Sequence, residues 1–463
     1  MTQAFHQEYC RKLISAGDAA ALVKSGDCIH LGGGANIATV IDSHLARRKT
    51  ELEDVAVYTF TDTASYEICS CDPEGKVFHW YSGFVLPYTR ALAAKRGIGI
   101  YSPATWHCVP EQVRKHFRLD VFFLVTAPMD EDGYFNYGLM VGHMMAMTEV
   151  AARIVVVVRE DMPWIFNGSK PGIHISEVDH IVEDTATKTW CSPEVEVCEN
   201  DRLIAKNILA AGLIKDGSTL QVGIGGLPNS VLDEIRNSGI KNCGLHTELL
   251  TGKVADLIKA GVVTNSEKRL DRYKTVFTFC LGDRELYDYI DRNPAFLSYP
   301  VEYTNHPMII SQQPQMLSLN GAAQIDLSGQ VGSEQMGGAR PVLVSGTGGQ
   351  LDFVMGTMLS QDQKGCSVLA LYSEYKDRSK IVPLLEQGTN VTVPRSLVDH
   401  VATEWGVVRM RDLTVNERAL ALIAIAHPSH RDRLAREAGD TGLIPYGATT
   451  GSRPPKGVLV RRD

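Results

Sequence analysis

Residues 22–45 read LVKSGDCIHLGGGANIATVIDSHL, and residues 213–235 read LIKDGSTLQVGIGGLPNSVLDEI. Leu22 aligns with Leu213 at an offset of 191 residues, and the two segments continue without a gap. Identical pairs include Lys24/Lys215, Gly26/Gly217, Gly32/Gly223, Gly34/Gly225, Val40/Val231 and Asp42/Asp233. A repeat with this period has the size of a whole domain and not of a solenoid unit. The sequence therefore predicts two copies of one domain.

The segments around these copies alternate between two hydrophobic patterns. Short β-branched runs such as VFFLV (121–125) and IVVVV (154–158) are typical of strands buried on both faces, as in parallel sheets. The stretch NSVLDEIRNSG (229–239) is typical of a helix, since a polar residue can cap its start and Gly239 can end it. Strands that alternate with helices predict an α/β fold with two tandem, similar open domains and mostly parallel sheets.

The repeat also sets the predicted domain boundaries. Residues 1–190 are predicted to form the N-terminal domain and residues 200–438 the C-terminal domain. The boundary lies in TATKTWCSPEVEVCEND (185–201), which lacks regular periodicity. Residues 439–463 are rich in Gly, Pro and Thr and are predicted to form an irregular C-terminal tail.

Composition limits the classes of function. The chain has 463 residues and a formal net charge of -8, from 46 Lys and Arg against 54 Asp and Glu. Because no basic run could follow a phosphate backbone, a nucleic acid partner is disfavoured. The longest apolar run, 419–426, is far shorter than the ~18 residues of a membrane span, and the N-terminus lacks a signal-peptide pattern. We therefore expect a cytoplasmic protein that acts on a small molecule, with no membrane partner.

Cysteine and histidine spacings give no metal or redox signal. Ten cysteines occur without a C-x-x-C pair, and without an export signal they are most simply reduced, buried thiols. His174 and His180 form one histidine pair and His427 and His430 another, and neither spacing repeats a known ligand pattern. The sequence therefore predicts no metal site.

The turn QVGIGGLPNS (221–230) has the outline of a phosphate-binding turn. Pro228, however, occupies the position of the third glycine of the dinucleotide fingerprint. Glu248 lies 20 residues after Pro228, about where a ribose-binding acid is expected, but its context CGLHTELL (243–250) is not a plain strand ending in an acid. The first copy lacks the fingerprint as well. A nicotinamide-dependent oxidoreductase is therefore disfavoured.

A second glycine cluster, SGTGGQLDF (345–353), changes the interpretation of that turn. Its glycines allow backbone N–H groups to approach a ligand closely. Two such turns, with a carboxylate in an HTE segment between them, are compatible with a nucleophile and its oxyanion donors. Each turn could equally be a tight connection between a strand and a helix.

Seven segments resemble, in the same order, the acetyl-CoA hydrolase/transferase family of class I CoA-transferases, especially its 4-hydroxybutyrate and butyryl-CoA:acetate types. They are LQVGIGGLP (220–228), GLHTELL (244–250), VEYTNHP (301–307), GQVGSE (329–334), SGTGGQLDF (345–353), VDHVATEWG (398–406) and NERALALIAIAHPSHRDRL (416–434). The resemblance covers nearly the whole chain. It implies two similar α/β domains with the active site between them.

The resemblance also implies a mechanism and the residues that carry it. The glutamate of the family's H-[ST]-E motif is the nucleophile, which implies that Glu248 carries CoA as a glutamyl thioester in a ping-pong reaction. Further residues are implied to bind or to stabilise charge. The implied catalytic donors are Asn305, Gly348 and Gly349. The residues implied to contact CoA are Ile224, Gly225 and Gly226, and Glu404 is placed at the acid-binding side.

The implied partners are acyl-CoA and short-chain carboxylates, with acetate, butyrate, 4-hydroxybutyrate and dicarboxylates such as itaconate left open. CoA enters as a substrate, and no tightly bound cofactor or metal is implied. Relatives are commonly homodimers or homotetramers. An acyl-CoA hydrolase of the same family is the alternative, since it differs only in whether water reaches the glutamyl thioester. A ligand sensor is disfavoured because no recognition-helix segment is visible and an HTE motif would be idle in it.

The chain departs from the family pattern at two places. YSEYKDRSKIVP (372–383) replaces a segment of small residues, so that Glu374 and its neighbours add charge and bulk near a loop that borders the implied pocket. Trp405 stands where relatives have Tyr or Gln. Lys376, Arg378 and Lys380 either form a solvated loop or pair with a phosphate or a carboxylate. These departures leave the acyl specificity open.

Overall fold

The computed structural model describes residues 3–445 and 455–462. The chain divides into two compact units. The first unit comprises Met1–Pro193, Leu249–Gly252 and Val276–Thr304, and the second comprises Glu194–Glu248, Lys253–Thr275 and Asn305–Asp463. Two short segments that follow the second copy of the repeat in sequence thus fold with the first unit.

Helices and strands alternate along the first part of the chain. Its helices are α1 (Gln3–Lys12), α2 (Ala16–Ala21), α3 (Thr39–Arg47), α4 (Glu67–Cys71), α5 (Pro87–Arg96), α6 (Val109–His116) and α7 (Met144–Val150). Its strands are β1 (Cys28–Gly34), β2 (Asn36–Ile37), β3 (Val55–Asp62), β4 (Phe78–Ser82), β5 (Val121–Thr126), β6 (Tyr134–Phe135), β7 (Ile154–Val158), β8 (Ile173–His174) and β9 (His180–Glu183).

The second part of the chain continues the alternation with more short strands. Its helices are α8 (Glu199–Ala210), α9 (Gly226–Asn237), α10 (Gly252–Lys259), α11 (Arg284–Ile290), α12 (Val301–Thr304), α13 (Pro307–Ile310), α14 (Gln350–Met358), α15 (Val415–Ala424) and α16 (Pro428–Asp440). Its strands are β10 (Thr219–Val222), β11 (Gly244–Leu245), β12 (Leu249–Leu250), β13 (Thr275–Phe277), β14 (Phe279–Cys280), β15 (Phe296–Ser298), β16 (Leu317–Gly321), β17 (Gln324–Asp326), β18 (Val331–Gly332), β19 (Gln335–Met336), β20 (Val342–Leu343), β21 (Cys366–Ala370), β22 (Glu374–Tyr375), β23 (Arg378–Ser379), β24 (Ile381–Val382), β25 (His400–Thr403), β26 (Gly406–Arg409) and β27 (Val458–Arg461).

The main sheet of the first unit has the order β4-β3-β1-β5-β7-β9, and neighbours along this path pair in parallel. Strands β5 and β7 are buried at every residue. This burial confirms the prediction from the apolar runs 121–125 and 154–158, because a strand covered on both faces does not alternate between apolar and polar residues.

The main sheet of the second unit has the order β11-β10-β16-β21-β25-β26-β27. Pairing is parallel from β11 to β25 and antiparallel at β26 and β27. The first five strands reproduce the order β3-β1-β5-β7-β9 of the first unit, strand for strand. The predicted fold of two tandem, similar α/β domains with mostly parallel sheets is therefore confirmed.

The repeated segment forms the same local structure in both copies. In each copy a turn leads into a strand (β1 or β10), which ends in glycines before a helix (α3 or α9). Gly26 and Gly217 precede the two strands with φ of 81° and 75°. Because this left-handed conformation strains residues with a Cβ, the glycine is required at the same position in each copy.

The predicted irregular tail is corrected at one element. Residues 458–461 form β27, which pairs antiparallel with β26 through Val407 and Val460. The apolar run VLV supplies side chains that suit the edge of a sheet, which outweighed the Gly and Pro content of the segment. Residues 446–454 of the predicted tail lie outside the described residues.

Candidate active site

The predicted site residues lie in the second unit, and several of them follow its parallel strands. Residues 224–226 follow β10, Glu248 follows β11 closely and Glu404 follows β25 directly. Because the carboxyl ends of parallel strands meet at one edge of a sheet, these residues share the edge at which open α/β sheets bind ligands. Asn305 lies between α12 and α13, and Gly349 precedes α14.

The segment that carries Glu248 is held against β10. The backbone N–H of His246 donates to the carbonyl of Leu220 at 3.1 Å. Thr247 Oγ1 donates to the carbonyl of Val222 at 3.3 Å, and both His246 and Thr247 are fully buried. These bonds continue the pairing of β10 with β11, so the chain reaches Glu248 in a defined direction.

Two hydrogen-bond donors hold the carboxylate of Glu248. Asn305, which is fully buried, donates from Nδ2 to Glu248 Oε2 at 2.6 Å. The backbone N–H of Gly349 donates to the same carboxylate. The Asn305 side chain also lies 3.4 Å from Asp352 Oδ2. Glu248, Asn305 and Gly349 therefore form one connected group, which contains three of the residues that the resemblance implies.

Burial dominates the acidity of Glu248. The pKa of this carboxyl is raised from 4.5 to about 8, chiefly by burial and to a smaller extent by the negative charge of Asp352. The hydrogen bonds from Asn305 and Gly349 lower the pKa and oppose part of this effect. A raised pKa of this kind, produced by burial and a neighbouring charge, is typical of functional sites.

Gly349 is required by close approach to the carboxylate. A Cβ at this position would lie 1.9 Å from Glu248 Oε2 and 2.2 Å from Asn305 Nδ2. Gly348 differs in its role, since it adopts a φ of 51° in the turn before α14 and gives no bond to Glu248 among the described contacts. The structure therefore associates Gly349, and not Gly348, with the carboxylate.

The GIGG turn presents backbone and one apolar side chain at the same sheet edge. Ile224 is 41% exposed, although it is a large aliphatic residue. Gly225 has a φ of 129°, which disfavours any side chain there. A Cβ on Gly226 would lie 2.4 Å from Asp201 Oδ2, so Gly226 allows α9 to start close against α8. Gly226 is thus explained by helix packing alone.

Glu404 belongs to a separate group of contacts. It is 5% exposed and accepts two hydrogen bonds from Ser373, from the backbone N–H at 3.0 Å and from Oγ at 2.5 Å. These bonds tie the end of β25 to the end of β21. Among the described residues no hydrogen bond joins Glu404 to Glu248. The structure therefore does not bring Glu404 into the group around the predicted nucleophile.

The charged loop that departs from the family pattern forms the hairpin of β22 and β23. Lys376 and Asp377 make its turn with φ of 50° and 59°. Lys376 and Arg378 are exposed, as expected for a solvated loop, whereas Lys380 is half-buried. Burial lowers the pKa of Lys380, and the charge of Glu404 raises it. Glu374 Oε2 lies 2.6 Å from His430 Nε2, so the hairpin is fixed to α16.

The sequence did not predict the residues that hold the segments near Glu248 and Gly349 in place. Lys268 is buried and donates from Nζ to the carbonyls of Leu245 at 2.8 Å and Lys274 at 2.7 Å. Thr347 donates to Glu334 Oε2 at 2.5 Å, which ties the turn of Gly349 to the strand region before it. The GQVGSE motif contained Glu334 and could have indicated it. Nothing in the local pattern around Lys268 marks it as buried.

The cysteine prediction is right in part. All ten cysteines are free thiols, and Cys69, Cys243, Cys280 and Cys366 are buried as expected. The expectation of burial is wrong for Cys10, Cys191 and Cys198, which are exposed. Among the described residues no helix is long and apolar enough to cross a membrane.

Comparisons with known proteins place both halves of the chain in one family. Residues 1–190 match the acetyl-CoA hydrolase/transferase N-terminal domain, and residues 282–438 match the C-terminal domain of the same family. The chain is 37% identical over 442 residues to a butyryl-CoA:acetate CoA-transferase of Anaerostipes caccae, covering 94% of this chain and 97% of that protein.

Solved structures agree with the sequence relatives. RipA from Yersinia pestis has a TM-score of 0.84 at 33% identity, covering 95% of this chain and 100% of that one. A 4-hydroxybutyrate CoA-transferase of Porphyromonas gingivalis has a TM-score of 0.76 at 30% identity, covering 94% of this chain and 100% of that one. The chain therefore belongs to the acetyl-CoA hydrolase/transferase family and is an enzyme of that family.

Proposed function

We propose that this enzyme is an acyl-CoA:carboxylate CoA-transferase in which Glu248 is the covalent carrier of CoA. The observation that carries the proposal is the carboxylate of Glu248, which receives hydrogen bonds from Asn305 Nδ2 and the Gly349 N–H and has a pKa raised to about 8. Relatives at 37% and 30% identity that are named CoA-transferases support the same reaction class.

The proposed reaction needs only bonds that a carboxylate can make and break. A Glu248 oxygen attacks the thioester carbonyl of an acyl-CoA, which forms an acyl-glutamyl anhydride and releases CoA thiolate. The thiolate then attacks the glutamyl carbonyl, which releases the first acid as its carboxylate and leaves a glutamyl-CoA thioester. An incoming carboxylate reverses these two steps. The anhydride is more reactive than a thioester, so the thiolate attacks it readily, and the glutamyl-CoA thioester that forms is of the same energy class as the acyl-CoA that is consumed.

In this proposal the same two donors stabilise negative charge before and during the first step. Asn305 and Gly349 stabilise the charge of the resting carboxylate, and they lie beside the atom at which attack begins. Negative charge moves from that carboxylate to the acyl oxygen during attack, over a distance of one or two bonds. A donor aimed at such developing charge typically contributes about 3 kcal/mol to the reaction barrier.

The remaining predicted residues are assigned to substrate contact in the same proposal. Beside β10, the exposed side chain of Ile224 offers an apolar contact for the CoA arm, and the backbone of Gly225 offers a polar one. Glu404 is assigned to the acid side of the site, at the carboxyl end of β25 on the same sheet edge. We further propose short-chain monocarboxylates such as acetate, butyrate and 4-hydroxybutyrate as the acids, by similarity to the named relatives.

The proposal is tested by trapping the covalent intermediate. The enzyme is incubated with butyryl-CoA in the absence of an acceptor acid, and its intact mass is measured. We expect an adduct of the mass of CoA less water, located on the peptide that contains Glu248. The matched control is Glu248→Gln, which keeps the size of the side chain and cannot form the thioester. An adduct on another residue, or full activity of the variant, contradicts the proposal.

The same assay separates transfer from hydrolysis. CoA release is followed with and without added acetate. A transferase releases at most one equivalent of free acid per active site until acetate is supplied, whereas a hydrolase consumes butyryl-CoA continuously in water. Steady turnover without acetate would assign the enzyme to the hydrolase branch of the family while leaving Glu248 as its nucleophile.

A further inference from the structure

Three side chains that can ligate a metal converge at the amino ends of β21 and β25. Cys366 is the first residue of β21, and His400 is the first residue of β25, with Asp399 immediately before it. The two strands are parallel neighbours in which Val368 pairs with His400. Cys366 lies two residues before Val368, so Cys366 and His400 point to the same face of the sheet. All three side chains are buried.

The distances among their ligand atoms suit a tetrahedral metal ion. Cys366 Sγ lies 3.3 Å from His400 Nδ1, and Asp399 Oδ2 lies 3.1 Å from the same nitrogen. One ligand atom from each residue lies within 4.8 Å of the other two. The edges of a zinc tetrahedron with sulfur, nitrogen and oxygen ligands measure about 3.3–3.6 Å. The two distances to His400 Nδ1 lie within about 0.3 Å of these edges, and the sulfur–oxygen distance is limited to 4.8 Å, so a local adjustment of the side chains would place all three atoms around one Zn²⁺.

The carboxylate is oriented by its neighbours. Arg411 Nε lies 3.4 Å from Asp399 Oδ1, and the backbone N–H of Ser367 donates to Asp399 Oδ2 at 3.4 Å. These contacts leave the carboxylate directed at His400. Partners of this kind, which hold a ligand group in place, are typical of metal sites and contribute to their affinity.

The cluster faces an open cleft, which leaves room for a fourth ligand. Cys366, Asp399 and His400 line a cleft of about 340 Å³ together with Lys215, Lys364, Arg409 and Arg411. Thiolate and carboxylate together offset the charge of Zn²⁺. Arg411, which lies 3.4 Å from Asp399 Oδ1, and the other three cations oppose the metal and favour a small anion at the remaining position. Three protein ligands with an open fourth position are the arrangement of catalytic zinc sites, in contrast to closed structural ones.

We propose that Cys366, Asp399 and His400 form a Zn²⁺ site with an open position toward this cleft. The site is distinct from Glu248, because it lies at the amino ends of the strands whose carboxyl ends carry the active-site edge. Spacing along the chain could not indicate it, since 32 residues lie between Cys366 and Asp399 and only the pairing of β21 with β25 brings them together. The proposal does not depend on the transferase reaction.

The test uses the metal alone on the full chain. Zinc-free protein is titrated with Co²⁺, and the sulfur-to-cobalt charge-transfer absorption is recorded before competition with Zn²⁺. We expect one equivalent of Co²⁺ with a thiolate band that Zn²⁺ abolishes. In Cys366→Ser the band is lost, and in His400→Gln the affinity falls at least about tenfold, the effect that loss of even an outer partner produces.

Two controls make the outcome decisive. His430→Gln removes a histidine from the group Glu374, His427 and His430, which also has ligand atoms within 4.8 Å of one another. We expect this variant to bind Co²⁺ as the wild type does. Circular dichroism of each variant verifies its fold, and Asp399→Asn is the substitute if Cys366→Ser does not fold. A thiolate band that survives in Cys366→Ser, metal binding that is lost in His430→Gln, or no bound metal in the wild type overturns the proposal.

Discussion

Replacing Glu248 by Gln should abolish transfer and at the same time stabilise the protein at alkaline pH. The carboxyl has a pKa raised from 4.5 to about 8, chiefly by burial. Over this interval the folded chain retains a proton that the unfolded chain has lost. Wild-type stability therefore falls as the pH rises from about 4.5 to about 8, and a Gln side chain, which does not ionise, is free of this loss.

The size of the effect follows from the shift in pKa. Each pH unit between the two pKa values changes the free energy of unfolding by ~1.36 kcal/mol. From about pH 5.5 to about pH 8 the wild type should lose at most ~3.4 kcal/mol relative to the variant. Since Glu248 keeps partial contact with solvent, we expect roughly half of this value. For a chain of 463 residues, that corresponds to a change of about 2 °C in the difference between the two melting temperatures.

The assay is a melting curve of both proteins at a series of pH values. Comparison with the variant is necessary because other groups titrate in the same range. Burial lowers the pKa of Lys268 from 10.5 to about 7, so Lys268 makes stability rise with pH above about 7. Lys268 is present in both proteins, so its contribution cancels in their difference.

Two results would refute the reasoning, and they concern different steps of it. Parallel melting curves of the two proteins from about pH 5.5 to about pH 8 would show that Glu248 does not have a raised pKa. Transferase activity of the variant within a thousandfold of the wild type would show that Glu248 is not the nucleophile, because removing a covalent nucleophile typically costs more than this. Normal folding of the variant is read directly from the same melting curves.

The other predictions concern the neighbours of Glu248. Gly349→Ala should reduce kcat at least about a hundredfold, because its Cβ would displace the carboxylate of Glu248. The control Gly321→Ala, which has no atom within 4 Å of the added Cβ, should keep its kcat. Steady-state kinetics compares the two variants. In the wild type kcat/KM should rise with pH to a plateau above about 8, as Glu248 ionises. Asn305→Ala loses a hydrogen bond that lowers the pKa of Glu248, so the rise should occur at higher pH. An unchanged pH profile contradicts the hydrogen bond between Asn305 and Glu248. Lys268→Met leaves two carbonyls without their donor and should destabilise the fold by about 2–4 kcal/mol, measured by urea unfolding; a loss below about 1 kcal/mol argues against both bonds.

The parts of the fold that were predicted are those with a local cause. Gly26 and Gly217 occupy left-handed turns, so their identity in the two copies reports a backbone requirement that sequence comparison can detect. The buried strands β5 and β7 are equally local, because every residue in them except Thr126 is apolar. The tail differs, since β27 is stabilised by pairing with β26, and nothing within residues 458–461 specifies that partner.

The candidate site shows the same difference between residues marked by a local motif and residues that depend on the folded structure. Glu248, Asn305 and Gly349 were predicted because each stands in a short motif, and the structure brings these three motifs together. Lys268 was not predicted, because a buried lysine depends on the carbonyls that surround it after folding. Gly226 shows a further limit of prediction from sequence. It was attributed to CoA contact, although packing against Asp201 already requires a residue without a Cβ at this position.

The neighbours of Glu248 act on its proton and on its reaction in coupled ways. Asn305 and Gly349 favour the ionised carboxylate, whereas burial and Asp352 disfavour it. A more polar pocket would ionise Glu248 completely, but it would also solvate the carboxylate and weaken its attack on a thioester. The observed balance keeps the side chain poorly solvated while two donors stay beside it. Because the attack moves negative charge without creating it, the donors that lower the pKa are also the ones that can stabilise the transition state. The pH dependence and the rate of Asn305 variants should therefore change together, whereas a residue that only supports the fold would change neither.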